Sequence, residues 1–392
     1  MDIAVAPRSN TSIFLLSIAA FAIMTTEFII LGILPEIAKD LNISISYAGQ
    51  LATLFAVVVM VLGPLLTPMF ATVDRKKVFV SILLIFSLAN GIAAIAHTYW
   101  VLAVSRVIAA AALPVFWGLA SETATKLART GEEGKSVAKL YLGIAAGFVL
   151  GIPLGTSTAH FLGWRGSFAL LALFCLIFAF LISWCMPKIK AIKLTDKISS
   201  WSDILQDRFV IAHLLLTVVS YAAMFSTYTY LTDTLERVSE VPPDMISLYL
   251  FLFGGVGFIG NIFGGRLAES GATKATIRLS LLLAVGMVMT TLSGTNTGLL
   301  CISLTVWGIA FTALFPVGQV RVLMAAQQSK ALAGTLNVSA ANAGIAIGAA
   351  IGGGAIEMFG LYPLSFIGAG LGILNLLFAT SLIKQGRLRG MR

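Results

Sequence analysis

The chain has 392 residues, 58% of them hydrophobic and 11% charged, with a mean hydropathy of +0.96 and a formal net charge of +9. A soluble domain carries roughly 25% charged residues, so this composition excludes a water-soluble protein and puts the chain in a bilayer. Apolar runs of about 20 residues without strand alternation exclude a barrel and predict an all-α membrane protein.

Taken in order, the apolar segments fall near 12–35, 47–70, 77–97, 98–125, 134–161, 163–186, 208–234, 244–268, 274–294, 297–324, 330–358 and 361–384. That predicts twelve transmembrane helices, and an even number puts both termini on one side of the membrane. The first span carries Glu27, 15 residues in, which at the helical rise is ~22 Å from its start. The fourth runs the other way and carries Arg106 about eight residues in, ~12 Å from its start. In a core of about 30 Å, both groups then sit in the outer half at similar depth. A charge at the centre of a spanning helix costs roughly 2.5–3.5 kcal/mol, so such groups are normally paired or placed in a wet cavity. Glu122 and Asp233 lie nearer span ends, where an interfacial place or a secondary proton site are both open. His97 and His160 fall near the outer surface.

Between the sixth and seventh spans lies the one long charged stretch, and it divides the chain into three parts. Residues 1–186 form an N-terminal six-helix bundle, 187–207 a cytoplasmic linker, and 208–392 a C-terminal six-helix bundle with a short tail. Ile198 to Leu205, with Trp201, fits a short amphipathic helix on the inner leaflet or a flexible tether. With both termini cytoplasmic, 22 of the 26 basic residues fall on the inner side, Arg321 among them. That bias explains the positive net charge without a nucleic-acid partner. No cleavable signal is expected. Cys175, Cys185 and Cys301 have no metal-ligand spacing, so neither a disulfide framework nor a metal site is expected, and no cofactor is implied.

The fifth and eleventh spans are copies of each other. GFVLGIPLG begins at Gly147 and GIAIGAAIG at Gly344, 197 residues later, so that Gly147, Gly151 and Gly155 repeat as Gly344, Gly348 and Gly352. A further glycine, Gly163, repeats as Gly360. Small residues at four-residue spacing let another helix approach closely, and Pro153 removes one backbone donor and bends its helix. Internal repeats of membrane helices point to a transporter.

The doubled layout and these glycine segments resemble the major facilitator superfamily over essentially the whole chain. TTEFIILGILPEIAKDL in the first span, SRVIAAAALPVFWGLA in the fourth and the Gly147 to Gly155 segment are similar to its drug:proton antiporter branch, in particular to bacterial sugar-efflux or arabinose-efflux-like permeases. The resemblance implies two pseudo-symmetric six-helix bundles, with helices one, four, seven and ten lining a central cavity. Glu27 and Arg106 would then face each other across the N-terminal half. Burial opposes the charged carboxylate and a nearby cation favours it, so Glu27 is expected to exchange between a proton and a cationic partner; a permanent ion pair fixing helix one to helix four is the alternative. The glycine interface would seal the halves in one state and open in another, or serve packing alone.

Phe116 and Trp117 on the fourth span, Tyr228, Thr229 and Tyr230 on the seventh, Gln319 on the tenth, and Asn337 and Asn342 on the eleventh would line the cavity, or else bond helix to helix. The family's inner-gate loop is degenerate in the first half. With the basic pair aligned on Lys76 and Lys77, Pro68 stands at the glycine and Thr72 at the acid, while Asp74 is shifted beside Arg75. The second half keeps Gly265, Arg266 and Glu269. Glu269 is either a lock for one state or a solvated loop charge.

No phosphate-binding G-x-x-x-x-G-K-[ST] or H-E-x-x-H motif is present, so an ATP-driven pump or an enzyme is not expected. The expected protein is a multi-pass exporter of a small organic compound, drug-like or sugar, in exchange for protons, in the inner membrane of a bacterium. Its partners are that solute, protons and the bilayer, and a monomer suffices. A facilitator or a solute:proton symporter of a sugar, nucleoside or amino acid remains open, as does a non-transporting membrane sensor.

Overall fold

The computed structural model describes residues 6–70, 73–127, 133–189, 206–326 and 330–388. The expected linker helix over 198–205 lies outside them, as do Thr72 and the side chains of Pro68, Glu122 and Glu269. All regular structure among the described residues is helical. In chain order it comprises α1 (Ala6–Gly32), α2 (Leu34–Asp40), α3 (Ile45–Phe70), α4 (Arg75–Ala94), α5 (Tyr99–Leu127), α6 (Glu133–Cys185), α7 (Arg208–Tyr228), α8 (Leu231–Arg237), α9 (Pro243–Glu269), α10 (Ala272–Leu292), α11 (Thr297–Ala325), α12 (Lys330–Phe359) and α13 (Leu364–Leu388).

Helix α6 is two helical arms that meet at a kink at Gly163, whose φ of 72° and ψ of 161° suit only a residue without a Cβ. Its two arms supply the fifth and sixth spans. With α6 counted once, eleven helices among the described residues are long and apolar enough to cross a membrane; with its arms separated, the twelve spans read from the sequence each have a helix. Gly360, the repeat partner of Gly163, also has positive φ, 81°. Polar caps start several helices. Asp74 accepts from Lys77 N at 3.1 Å, Asp207 from Phe209 N at 2.9 Å, and Asn296 from Leu299 N at 3.1 Å.

Two compact units emerge, Met1–Ile37 with Val61–Lys197, and Ala38–Met60 with Ile198–Arg392. In the first, the leading arm of α6 packs on α1 through its glycines. A methyl group added at Gly147 would lie 2.9 Å from Phe21 O, and one at Gly151 would lie 3.0 Å from Thr25 Cα. In the second, α12 packs on α7 in the same way, and a methyl at Gly348 would lie 2.6 Å from Ala222 O. The 197-residue offset that relates the glycines also relates what they touch: Phe21 and Val218, Met24 and Tyr221, Thr25 and Ala222, Ile29 and Ser226.

Side-chain hydrogen bonds tie further helices within each unit. Asn90 on α4 donates to Thr26 on α1 at 3.0 Å. Asn375 on α13 accepts from Ser220 on α7 at 2.9 Å and donates to Ser280 on α10 at 2.7 Å. Large exposed apolar side chains, including Phe161, Phe180, Trp184 and Met358, cover the outside, as expected where the solvent is lipid.

Candidate transport site

The N-terminal unit centres its polar chemistry on α1. Thr25, Thr26, Phe28 and Ile29 are buried, while Glu27 between them is only partly so. Arg106 on α5 is 1% exposed, and its Nη2 donates to the main-chain carbonyl of Glu27 at 3.1 Å. One residue earlier, Thr26 Oγ1 donates to Ala22 O at 2.9 Å and accepts from Asn90 Nδ2. Helix α1 is therefore held at 26–27 by α4 through the Thr26 hydroxyl and by α5 through the Glu27 carbonyl, and neither bond uses the Glu27 carboxyl. The Arg106 bond is made to the main chain, so this joint does not depend on the protonation state of the Glu27 carboxyl.

The remaining sequence-derived residues separate into groups. Phe116 is fully buried, edge-on to Phe79 and Trp117 with ring centroids 5.6 and 5.2 Å away. Tyr228 is buried 4.5 Å from Phe311 and 5.2 Å from Phe253 by ring centroids. Tyr230 is fully enclosed, its hydroxyl donating to Ala349 O at 3.0 Å, and Thr229 bonds back to Phe225 O. These three lie inside the helix packing of their unit. Gln319 and Asn337 are brought together, Asn337 Nδ2 donating to Gln319 Oε1 at 2.6 Å, whereas Asn342 donates within its own helix to Val338 O.

Around the gate loop, Asp74 is the cap of α4, and Arg75 is 1% exposed with Nη1 donating to Phe70 O and Val73 O, each at 3.3 Å. A cation there meets the carbonyl end of α3. Gly265 is partly buried and Arg266 exposed. Asp233 is buried and pairs with exposed Arg237 at 2.9 Å. Away from Glu27, an apolar crevice of about 510 Å³ lies between α3, α4 and α5, lined by Leu66, Phe70, Ile82, Ile85 and Val115 with Lys77.

Sequence reasoning missed Arg321. Grouped with the inner-side charges, it is instead 2% exposed within α11 and donates from Nη2 to Thr217 Oγ1 at 2.8 Å. The signal was present, since Arg321 lies inside the predicted tenth span in the apolar run VRVLMAA. Asn90, Asn375 and His213, all buried polar residues of spanning helices, were also passed over.

A bundle of membrane-spanning helices, doubled in its packing and with ionisable groups inside spans, defines a multi-pass membrane transporter. The chain belongs to the Major Facilitator Superfamily, whose model matches residues 16–284. It is similar to the inner membrane transport protein YdhP of Escherichia coli (strain K12), 34% identical over 351 residues covering 89% of this chain and 90% of that one. It is also similar to a probable sugar efflux transporter of Helicobacter acinonychis (strain Sheeba), 27% identical over 93% of each chain. Among solved structures, a bacterial homologue of the human lysosomal transporter Spinster, inward-facing and occupied, superposes with a TM-score of 0.80 at 13% identity, covering 96% of this chain and 97% of that one. That last likeness is one of fold.

Proposed function

We propose that this transporter exports a small organic solute in exchange for protons, by alternating access, from the inner membrane of a bacterium with both termini cytoplasmic. The observation that carries the reading is the pair of bonds at 26–27, to the Thr26 hydroxyl and the Glu27 carbonyl, which hold α1 at the level of an intramembrane acid without using its carboxyl. An intramembrane acid is by default a functional group. Buried Arg106 supplies positive potential beside the carboxylate when it is ionised, and that potential remains when the proton arrives. The names of the two sequence relatives support an inner-membrane exporter, with sugars among the candidate solutes.

The test is reconstitution in liposomes with an imposed pH gradient and a panel of sugars, nucleosides, phenicols and cationic dyes. Gradient-driven flux in the wild-type protein, lost in Glu27→Gln, is the expected result. Flux that ignores the gradient and survives the substitution would make the protein a facilitator. A ligand that binds without flux would make it a sensor.

A further inference from the structure

Arg321 is the centre of a second polar cluster, in the C-terminal unit. Its Nη2 is used twice, by Thr217 Oγ1 at 2.8 Å and more weakly by His213 O at 3.4 Å. Nε and Nη1 of the same group are buried and find no acceptor among the described residues. No carboxylate there pairs with it either. Arginine stays charged in proteins, so this is a permanent cation enclosed by three spanning helices with the Nε and Nη1 side of its donor fork unused.

The neighbours form a hydrogen-bonding wall. Thr217 donates to Asn337 Oδ1 at 2.8 Å, and Asn337 donates to Gln319. Gln319 is partly exposed, so the chain of bonds runs from the buried guanidinium to an accessible edge. His213 is 4% exposed and its Nδ1 finds no partner among the described residues either. On the same three helices, Val210, Leu214, Val322, Ala326 and Ala333 form a buried apolar cluster. The first unit has no equivalent, since the residue 197 positions before Arg321 is Ala124.

A buried cation with unused donors destabilises the fold unless a partner arrives at some stage. The planar fork of a guanidinium matches a carboxylate through two parallel bonds. We infer that Arg321, with Thr217, Asn337 and Gln319, forms a subsite for the carboxylate of a small, hydroxyl-rich solute, admitted when α11 and α12 part at the Gln319 edge. This deepens the transport reading by naming the solute class, and it rests on that reading only for the direction of movement.

The experiment measures binding to the purified full-length protein in detergent at constant ionic strength, where neither direction nor proton coupling enters. The probes are matched pairs, gluconate against glucitol and glucuronate against glucose. The expected result is binding of at least one acid about tenfold tighter than its neutral partner, with the preference abolished in Arg321→Gln and partly kept in Arg321→Lys. Thr217→Val, which removes the anchor but not the charge, should weaken the preference and serves if the Gln variant does not fold. Equal binding within both pairs, binding of neither member, or a preference that survives Arg321→Gln overturns the inference. Flux in liposomes from the same preparations reads the antiport proposal separately. Charge preference without gradient-driven flux keeps the subsite and removes antiport, and the reverse removes the subsite alone.

Discussion

The guanidinium of Arg106 bonds the main-chain carbonyl of Glu27, at 3.1 Å, and so holds the residue through its backbone. A main-chain carbonyl is present whatever side chain stands at 27. Position and protonation are thereby separated, and the two residues should respond differently to substitution.

Glu27→Gln keeps the carbonyl and is expected to express and unfold like the wild-type protein, while gradient-driven transport disappears. Arg106→Gln removes the clamp on α1 and should lower thermal stability as well, by about 1–3 kcal/mol for a buried charge-assisted bond. Thermal unfolding in detergent alongside flux separates the two. Equal destabilisation by both would mean that the Glu27 side chain is itself part of the joint.

The glycine stripe makes a second prediction. Gly151→Ala places a methyl 3.0 Å from Thr25 Cα, a backbone atom that yields only if α1 and α6 separate, and should cost about 1–3 kcal/mol. Gly91→Ala on α4 meets nothing within 4 Å and should be neutral or stabilise by up to about 1 kcal/mol through helix propensity. Melting temperatures of the pair check it.

Asn375 bridges α7 and α10, yet both of its serine partners also bond carbonyls of their own helices, Leu216 O at 2.8 Å and Thr276 O at 2.7 Å. Asn375→Leu therefore leaves neither serine stranded. The expected loss is about 1–2 kcal/mol for two interhelical bonds, read by thermal unfolding. A larger loss would place further weight on the Asn375 side chain.

Asn90 differs because it bonds the Thr26 hydroxyl, next to Glu27. Asn90→Ala removes the bond to Thr26 and frees α1 from α4 at that level. Transport in liposomes should fall more than stability does, since the affected segment carries the coupling group. Equal losses would reduce Asn90 to packing.

The helices were legible because lipid imposes long apolar runs, and the halves because Gly147 to Gly155 return as Gly344 to Gly352. Asn375 and Asn90 were not, since a lone polar residue in an apolar run reads the same whether it bonds a helix or faces a cavity. Tyr228 and Tyr230 show that ambiguity from the other side: the pattern puts them on a spanning helix, and only the coordinates show them packed among Phe253, Phe311 and the α12 backbone. Arg321 was hidden by the charge rule itself, which assigns a basic residue near a helix end to the water. Its side chain turns onto α7 instead.

The stripe touches carbonyls and Cα atoms as well as side chains, and backbone atoms are common to every residue type. A seam of that kind is indifferent to much of the chemistry on the partner helix. Thr25 in one copy can stand as Ala222 in the other, and Glu27 as Met224, while the helices keep the same seating. A duplicated chain built this way is free to specialise each copy, an acid in one and an arginine in the other, on a mechanical frame that tolerates the rewriting.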